Sequence, residues 1–267
     1  MTIKKYLVIG NPIDHSLSPK LHNFWIKKYN IQAYYSKLLV GEKDLGEIVN
    51  RVRNDELDGL NVTVPFKKKI IPHLDILTNV AKEANSVNTI YKSNNKIIGD
   101  NTDVDGFLES LKAINFNPEN QTAFIVGAGG VALSIIVALK KMGVSKIKIT
   151  NRTISEINIL KKKYQDLNVI DWGQNSKFDI IINATSVGLE KGEKLPINFQ
   201  NSDESKVFYD VIYNPKKTEF LLVGEQLGNK TENGMKMFIY QAQLSFKIWH
   251  KITPEVNENT INFLEND

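Results

Sequence analysis

Short apolar runs alternate with stretches of helical periodicity along most of the chain. In its first part, the apolar runs 6–9, 35–40 and 60–64 predict strands, and the periodic segments 19–29 and 44–53 predict the helices between them. Strands that alternate with helices in this way are typical of an α/β fold, so we expect a mostly parallel sheet.

A hairpin signal interrupts this alternation. Ser93-Asn94-Asn95 separates the apolar runs 87–91 and 96–99, and polar turn residues between two such runs predict a β-hairpin. Either Thr102 or Asp103 is then expected to cap the next helix, because both side chains carry an oxygen that can accept an amide hydrogen bond.

The alternation resumes after a polar segment at 115–120, which is typical of a linker. A long amphipathic helix at 234–249, with Met237, Gln241, Leu244 and Ile248 at helical spacing, ends the pattern and is expected to return to the first part of the chain. Between the linker and this helix, strands are predicted near 123–126, 146–150, 168–170, 179–182 and 207–211.

The turn between the predicted strand at 123–126 and the following helical pattern is rich in glycine. Gly127 permits a tight turn, Gly129 lets a ligand approach the backbone, and the small Ala132 lets the helix lie close to the sheet. Free amides at a helix start bind phosphates, and the alternative is a tight turn without a ligand. This glycine-rich turn comprises Gly127, Ala128, Gly129, Gly130 and Val131.

The end of the next predicted strand, Asn151-Arg152-Thr153, indicates which dinucleotide is bound. NAD sites usually place an acidic residue there for the ribose hydroxyls, whereas Arg152 suits a 2′-phosphate. The chain has only three arginines against 31 lysines, and an arginine at this position offers bidentate geometry to a phosphate. The sequence therefore predicts NADP as the cofactor; the alternative is a solvated arginine.

Composition narrows the classes of function. The net charge of +4 is spread along the chain, and no long basic tract predicts binding to nucleic acid. The chain has no cysteine and only four histidines, none paired at metal-ligand spacing, so no metal site is predicted. No apolar run approaches the ~20 residues of a membrane helix. The first apolar run is too short for a signal peptide, and a cytoplasmic protein is expected.

Polar residues before the glycine-rich turn form a candidate substrate site. Ser18 is expected to be the N-cap of the first helix, with Pro19 at the first helical position. Together with Ser16 it offers two hydroxyls at a helix start, which suits a carboxylate. Plain capping is the alternative, and it accounts for Ser18 but leaves Ser16 without a role.

The strand at 60–64 carries further polar residues. Asn61 and Thr63 alternate and are expected to share one face, and Lys67 lies beyond the strand end, where α/β proteins bind ligands. Asn88 and Asp103 occupy other strand ends. Each also has an ordinary interpretation: Lys67 as one of many surface lysines, and Asp103 as a helix cap.

Taken together, these segments resemble the shikimate dehydrogenase family over nearly the full length, from Gly10 to Trp249. Several motifs in one order are more specific than any of them alone. They are Gly10-Asn-Pro-Ile-Asp-His-Ser-Leu-Ser-Pro19, Asn61-Val-Thr-Val-Pro-Phe-Lys67, Ser86-Val-Asn-Thr89, Asn101-Thr-Asp103, Gly127-Ala-Gly-Gly130, Asn151-Arg-Thr153, Asn183-Ala-Thr-Ser186 and Asp210-Val-Ile-Tyr213-Asn-Pro215.

The resemblance implies two domains and one reaction. Residues 1–101 would form a substrate-binding and catalytic domain on which 236–267 packs back, and 102–235 would form an NADP-binding Rossmann domain. The implied reaction is the reversible reduction of 3-dehydroshikimate by NADPH to shikimate, a step toward the aromatic amino acids. The protein would act as a monomer or homodimer.

The resemblance also implies residue roles. Lys67 and Asp103 would be the catalytic pair, in which a lysine ammonium can donate a proton to the carbonyl oxygen as negative charge develops there. The cofactor residues would be the glycine-rich turn, Asn151, Arg152 and Thr153, with Val211 and Gly234 beside the nicotinamide. The implied substrate residues are Ser16, Ser18, Asn61, Thr63, Lys67, Asn88, Asp103, Tyr213 and Gln241.

The sequence departs from the family pattern at two points. Glu156 stands where NADP-preferring members often carry a second basic residue, and Met235-Lys-Met237 replaces a frequent Leu-Gly-Met. Two alternatives stay open. One is a relative with another substrate, such as a quinate dehydrogenase, and the other is a non-catalytic NADP-binding regulator. Lys67 and Asp103 argue against the regulator, because a sensor needs no proton donor.

Overall fold

The computed structural model describes residues 3–199 and 205–265. The chain divides into two compact units, one formed by residues 1–106 with 239–267 and the other by residues 107–238. The two-domain α/β fold expected from the sequence is confirmed, and so is the return of the C-terminal helices to the first unit. The segment 115–120 is not the linker, because it lies inside the second unit and the division falls within the preceding helix.

The first unit is built on a six-stranded sheet with the strand order β2-β1-β3-β5-β6-β4. Its strands are Lys4–Gly10 (β1), Ala33–Leu39 (β2), Gly59–Val62 (β3), Ile76–Leu77 (β4), Thr89–Ser93 (β5) and Lys96–Asp100 (β6). Its first helices are Ser18–Lys28 (α1), Leu45–Arg53 (α2) and Asn79–Ala84 (α3), and Asp103–Ala113 (α4) leads out of the unit. β1 pairs in parallel with β2 and β3, and β4 with β6, whereas β5 runs antiparallel to β3 and β6.

The predicted hairpin is present, and its turn explains why β5 and β6 are antiparallel. Ser93 pairs with Lys96, and the two residues between them, Asn94 and Asn95, have φ values of 49° and 57°. Positive φ at both central residues defines the turn that matches strand twist, and asparagine tolerates it well. The strand predicted at 60–64 is shorter than expected, since β3 ends at Val62 and Thr63 lies beyond it.

One face of this sheet is covered by α2. The helix buries Leu45, Ile48, Val49 and Val52, whose spacing of three and four residues forms a single apolar stripe. This stripe packs into a core cluster with Leu7, Ile9, Leu60, Val62 and Ile90 from the strands. The alternation of the sheet residues thus directs one apolar face toward α2.

The long helix Met235–His250 (α8) brings an aromatic cluster to β3. Trp249 lies so close to Gly59 that a side chain there would overlap the indole, and its Nε1 donates to the carbonyl of Ile90 at 3.2 Å. Of the expected apolar stripe of this helix, Met237 is buried, but Gln241, Leu244 and Ile248 are only partly buried. The buried positions are Met235, Met237, Phe238, Ile239, Ala242, Ser245, Phe246 and Trp249. Glu258–Glu265 (α9) follows in the same unit.

The second unit has a six-stranded sheet in the order β12-β11-β10-β7-β8-β9, and every described strand pair is parallel. This is the Rossmann-type sheet that the sequence predicted. The strands are Thr122–Val126 (β7), Lys146–Thr150 (β8), Asn168–Val169 (β9), Ile180–Asn183 (β10), Val207–Asp210 (β11) and Lys230–Glu232 (β12). The helices are Ala132–Met142 (α5), Ile154–Lys163 (α6) and Glu219–Gln226 (α7).

α5 is the central helix of this unit and is buried without interruption from Ala132 to Leu139. It ends at Gly143, whose φ of 80° is the left-handed conformation that terminates many helices. α6 is amphipathic by contrast, and its last turn, residues 161–163, is exposed as the sequence suggested. Within the described ranges, no helix is both long and apolar enough to cross a bilayer.

His22 lies in the aromatic cluster of the first unit. Its ring is 1% exposed and stacks on Tyr35 at a centroid distance of 4.2 Å. Neither ring nitrogen has a hydrogen-bond partner among the residues that the structure describes. Burial lowers the pKa of His22 to about 3, assisted by the nearby His250, whose own pKa burial lowers to about 4. Both rings are therefore neutral in the folded protein at neutral pH.

This burial predicts acid lability. Since the folded pKa of His22 lies below the unfolded value near 6.5, its contribution to stability is complete above that pH and is lost as the pH falls toward 3. Each such group contributes a slope of up to about 1.4 kcal/mol per pH unit. We expect His22→Phe to reduce the slope of the unfolding free energy between pH 6 and pH 4, roughly by that amount. Urea titrations of His15→Gln, an exposed histidine, serve as the control, and an unchanged slope in His22→Phe would contradict the assignment.

Candidate active site

The centre of the candidate site is an ion pair between Lys67 and Asp103. Lys67 Nζ donates to Asp103 Oδ2 at 2.7 Å, and the two side chains are 17% and 7% exposed. Lys67 lies in the turn after β3, where Val87 N donates to its carbonyl oxygen at 2.8 Å and fixes its backbone. The interpretation of Lys67 as an ordinary surface lysine is therefore wrong.

Asp103 is the first residue of α4, but its side chain does not cap the helix. Instead Asn101 Oδ1 accepts from Val104 N at 3.1 Å, so the expected cap by Thr102 or Asp103 was wrong. Asn101 is itself held by the carbonyl of Ser86 at 2.9 Å. Because Asn101 accepts the hydrogen bond at the start of the helix, the carboxylate of Asp103 is available to Lys67 and Asn88.

Asn88 fixes the orientation of this carboxylate. Its Nδ2 donates to Asp103 Oδ1 and to Thr102 Oγ1, both at 2.9 Å, and its Oδ1 accepts from Thr102 N at 2.8 Å. A longer contact of 3.4 Å joins Nδ2 to Gln241 Oε1 on α8. Asn88 is 3% exposed and its short hydrogen bonds are all made within the protein. Its main effect is to position Asp103.

Asn61 also makes its hydrogen bonds within the protein. Its Oδ1 accepts from Tyr35 Oη at 2.6 Å, and its Nδ2 donates to the carbonyl of Asn88 at 2.8 Å. Nδ2 also lies 3.1 Å from the hydroxyls of Thr89 and Ser245. Thr89, Thr102 and Ser245 were missed by the sequence analysis, and the only available signal was a hydroxyl at positions that the apolar pattern predicts to be buried.

Ser16 and Ser18 lie at the start of α1, but not as expected. The helix begins at Ser18 itself, its N-cap residue is Leu17, and no side chain caps it, so the Ser18 N-cap prediction was wrong. Ser16 Oγ accepts from Ser18 N, the first amide of the helix, at 3.3 Å. The idea that Ser16 lacks a structural role is therefore wrong as well.

Ser18 is a buried neighbour of Tyr35. Burial raises the pKa of Tyr35 well above its usual value, although Ser18 acts in the opposite direction, so the Tyr35 hydroxyl keeps its proton and donates it to Asn61 Oδ1 at 2.6 Å. Ser18 is only 8% exposed, whereas Ser16 is partly exposed. The Ser16 hydroxyl has no acceptor among the described residues, which leaves its proton for a ligand.

The other predicted substrate residues lie in three places. Thr63 is partly exposed just after β3, and Gln241 is half-buried on α8 in the same unit. Tyr213 belongs to the second unit, where its ring packs against Phe238 at a centroid distance of 4.9 Å.

The glycine-rich turn in the second unit fits a phosphate. Gly127 has a φ of 108°, and a Cβ there would lie 2.8 Å from Thr185 Cγ2 and 3.0 Å from the backbone of Ala184, so only glycine fits. A Cβ on Gly129 or Gly130 would meet nothing within 4 Å. Protein packing thus does not explain these two exposed glycines, whereas close approach of a ligand does. They lie immediately before α5, whose first amides face the same end.

The predicted cofactor-specificity residues form the next turn of this unit. Asn151 Oδ1 accepts from Ala128 N at 3.1 Å, which joins this turn to the glycine-rich one. Asn151 Nδ2 donates to the carbonyl of Thr153 at 2.9 Å and to Glu156 Oε2 at 2.8 Å. Arg152 is exposed and has no ion-pair partner in the described part of the chain. Its guanidinium is available to an anion.

Val211 and Gly234 approach each other closely. A Cβ on Gly234 would overlap the carbonyl oxygen of Val211, and Gly234 N donates to the carbonyl of Ile212 at 3.0 Å. Beside them, burial raises the pKa of Asp210 to about 6, although hydrogen bonds from Thr218, Ile212 and Asn183 act in the opposite direction. Across residues 3–199 and 205–265, no three His, Asp or Glu side chains are grouped to hold a metal ion.

Comparison with known proteins matches both parts of the chain. The family model of the shikimate dehydrogenase substrate binding domain matches residues 8–90, and that of shikimate / quinate 5-dehydrogenase matches residues 110–216. A shikimate dehydrogenase (NADP(+)) of Pelagibacter ubique is 53% identical over 98% of this chain and 99% of the relative.

Solved structures share the fold. The shikimate 5-dehydrogenase of Thermus thermophilus, in complex with NADP(H) and shikimate, is 28% identical with a TM-score of 0.89, covering 98% of this chain and 97% of that one. The ligand-free 5-ketofructose reductase of a Gluconobacter strain is 29% identical with a TM-score of 0.90, covering 99% of each chain. The match to a shikimate dehydrogenase at 53% identity extends over nearly the full length, whereas the reductase is 29% identical. The chain therefore belongs to the shikimate dehydrogenase family.

Proposed function

We propose that this protein catalyses the reversible, NADP-dependent reduction of 3-dehydroshikimate to shikimate, with Lys67 and Asp103 as its catalytic pair. The observation that carries the proposal is their 2.7 Å ion pair, which is mostly shielded from water and oriented by Asn88. A non-catalytic NADP-binding protein needs no proton donor, so the oriented Lys67 ammonium argues against that alternative.

Ketone reduction needs positive charge and a proton at the carbonyl oxygen. NADPH, when bound, supplies the hydride. Lys67 Nζ is a suitable donor to the oxygen, since Asp103 uses one of its three N–H bonds and, among the described residues, no other acceptor takes a second. In the oxidative direction a neutral Lys67 accepts the hydroxyl proton. Asp103 directs the ammonium and can also accept a hydrogen bond from a substrate hydroxyl.

The remaining predicted substrate residues are proposed to fall into two groups. Ser16, Thr63, Gln241 and Tyr213 are proposed to contact the substrate, with Ser16 as the donor to its carboxylate. Ser18, Asn61 and Asn88 are buried and are proposed to act mainly by positioning, and the amide donors of Asn61 and Asn88 are already used by other protein groups. The sequence analysis expected all seven residues to bind the substrate directly, and this proposal limits direct contact to four of them.

The second unit is proposed to bind NADP, and the first the substrate. Support comes from the open glycines of the turn before α5 and from the unpaired Arg152 beside it, in the part of the chain that the structure describes. Asn151 and Thr153 would shape the pocket for the 2′-phosphate, and Val211 and Gly234 would lie by the nicotinamide. The pyrophosphate residues are proposed as Gly127, Ala128, Gly129, Gly130 and Val131.

Location and assembly are proposed as cytoplasmic and as monomer or homodimer. Support for the location is indirect: both proposed ligands are charged metabolites, which a cell retains in its cytoplasm. Light scattering on the eluted protein distinguishes one copy from two, and fractionation of the source cells reports the compartment.

A second candidate substrate is quinate. It is favoured by one finding, the match of residues 110–216 to a family model that covers shikimate and quinate dehydrogenases. The buried polar set would serve either ring, so the ratio of kcat/KM values for shikimate and quinate decides between them.

The first test combines turnover with one substitution. We expect the protein to oxidise shikimate with NADP, and we expect Lys67→Ala to lower kcat by at least ~100-fold with a smaller change in KM, because a general acid–base group is lost. The measurement is NADPH absorbance under saturating conditions. Lys68→Ala, which removes an adjacent exposed lysine, is the matched control and should keep normal turnover. Near-normal kcat in Lys67→Ala would refute the role of this pair.

The second test separates the two serines. Because Ser16 is partly exposed and no described residue accepts its proton, whereas Ser18 is 8% exposed, Ser16→Ala should raise the KM for shikimate by roughly 10-fold or more, the loss of one charge-assisted hydrogen bond. Ser18→Ala should raise it less, and neither should alter the Kd for NADP. Equal effects of both substitutions on KM would show that the Ser18 proton also reaches the substrate.

The third test concerns the 2′-phosphate. One charge-assisted interaction of about 1.5–3 kcal/mol gives NADP a roughly 10- to 150-fold preference over NAD, and Arg152→Ala should nearly abolish it. Glu156→Gln keeps an oxygen for Asn151 but removes the negative charge, so it should widen the preference, most clearly at low salt. The readout is the ratio of kcat/KM for the two cofactors. If Arg152→Ala leaves the ratio of kcat/KM for the two cofactors unchanged, the 2′-phosphate binds elsewhere, for instance at residues 161–163.

A further inference from the structure

Two buried polar residues of the second unit, Asn183 and Asp210, have no part in the proposed contacts with substrate or cofactor. Each is the last residue of its strand, β10 and β11, and each is 0% exposed. A buried carboxylate without a cationic partner is costly, so its hydrogen bonds indicate what it is there to hold.

The carboxylate of Asp210 is surrounded by donors. Its Oδ1 accepts from Ile212 N at 2.9 Å, and its Oδ2 accepts from Thr218 Oγ1 at 2.7 Å. Asn183 Nδ2 lies 3.2 Å from each of the two oxygens. Thr218 also caps α7, where its Oγ1 accepts from Leu221 N at 3.4 Å. Asp210 thus joins β10, β11, α7 and the segment that follows its own strand.

That following segment, Val211 to Tyr213, is held at successive backbone groups. Val211 N donates to the carbonyl of Asn183 at 3.1 Å, Ile212 N to Asp210, and the carbonyl of Ile212 accepts from Gly234 N at 3.0 Å. Gly234 has no side chain because the carbonyl of Val211 occupies that space. These backbone bonds of Val211 and Ile212 involve Asn183, Asp210 and Gly234.

The same network reaches the glycine-rich turn. Asn183 Oδ1 accepts from Thr185 N at 3.1 Å and from Thr185 Oγ1 at 2.7 Å. Thr185 in turn lies beside Gly127, where a Cβ would come within 2.8 Å of its methyl group. One chain of contacts therefore runs from the phosphate-binding turn through Asn183 and Asp210 to Val211 and Ile212, the residues that precede Tyr213.

We infer that Asp210 is a positioning residue that sets the Val211–Tyr213 segment against the phosphate-binding turn, and so places the nicotinamide half of NADP for hydride transfer. This inference rests on the proposed function for the location of the cofactor. The adenosine half, held near Arg152, makes no use of this segment. Loss of Asp210 should therefore affect the two halves of the cofactor unequally.

The experiment compares NADP with adenosine 2′,5′-bisphosphate, which carries the 2′-phosphate but lacks the nicotinamide half. In the full-length protein, Asp210→Ala should weaken NADP binding by at least about 5-fold relative to the bisphosphate, whose Kd should change by less than about 2-fold. Turnover of shikimate should fall at least ~10-fold at saturation, because a misplacement of about 1 Å can cost 100-fold in rate. Asp210→Asn should recover part of both losses, since its amide oxygen can still accept from Ile212 N.

Ser110→Ala is the matched control. Ser110 Oγ lies 2.8 Å from the hydroxyl of Tyr209, the residue before Asp210, so this change also removes a buried hydrogen bond of β11 but leaves Val211 to Tyr213 untouched. It should lower the Tm without changing the ratio of the affinity for NADP to the affinity for the bisphosphate. If it lowers this affinity ratio as Asp210→Ala does, the effect is general destabilisation and the inference fails.

The remaining outcomes are equally decisive. If Asp210→Ala weakens the binding of both ligands equally, or leaves the ratio of their affinities unchanged, the positioning role is overturned. Should Asp210→Ala not fold, the ratio in Asp210→Asn carries the test, with at least a ~3-fold decrease expected. Absence of turnover in the unmodified protein would refute the proposed function alone, because the binding ratio can still be measured.

Discussion

The ion pair of Lys67 and Asp103 is the interaction on which the first unit depends. Two charges removed from water are costly unless their remaining hydrogen-bonding groups are satisfied. Asn88 satisfies the second oxygen of Asp103, Thr102 orients Asn88, and Asn61 ties the backbone of Asn88 to α8 through Ser245. The polar residues inside this unit therefore form one connected set, and removing any one leaves another unsatisfied.

A connected set of this kind also limits what remains available to a substrate. Amides whose protons are committed inside the protein, such as that of Asn61, support the site without offering a donor to it. The Ser16 hydroxyl and the Lys67 ammonium, by contrast, keep protons that no described residue accepts. In the proposed function, the first serves the carboxylate of the ligand and the second its ketone oxygen.

The sequence predicted features that follow from local pattern and missed those that depend on three-dimensional contacts. The hairpin at Asn94-Asn95, the glycine-rich turn and the parallel strands all have short-range signals, and all are present. The Ser18 cap was wrong because the helix already begins at Ser18, with Leu17 at the N-cap position, and β3 is shorter than the predicted strand. Short elements such as β4, β12 and α3 give too little periodicity to detect. The roles of Asn88 and Asn61 required their partners, which lie far away in sequence.

The contacts of Asp210 have an evolutionary consequence. Asn183 Nδ2 and Thr218 Oγ1 both direct hydrogens at one carboxylate, so an amide or apolar residue at position 210 would leave those hydrogens facing a group that cannot accept them all. Viable replacement at position 210 thus requires a change at 183 or 218 in the same lineage. Among descendants of this sequence, these three positions should vary together or remain fixed together, although 27 residues separate the first two.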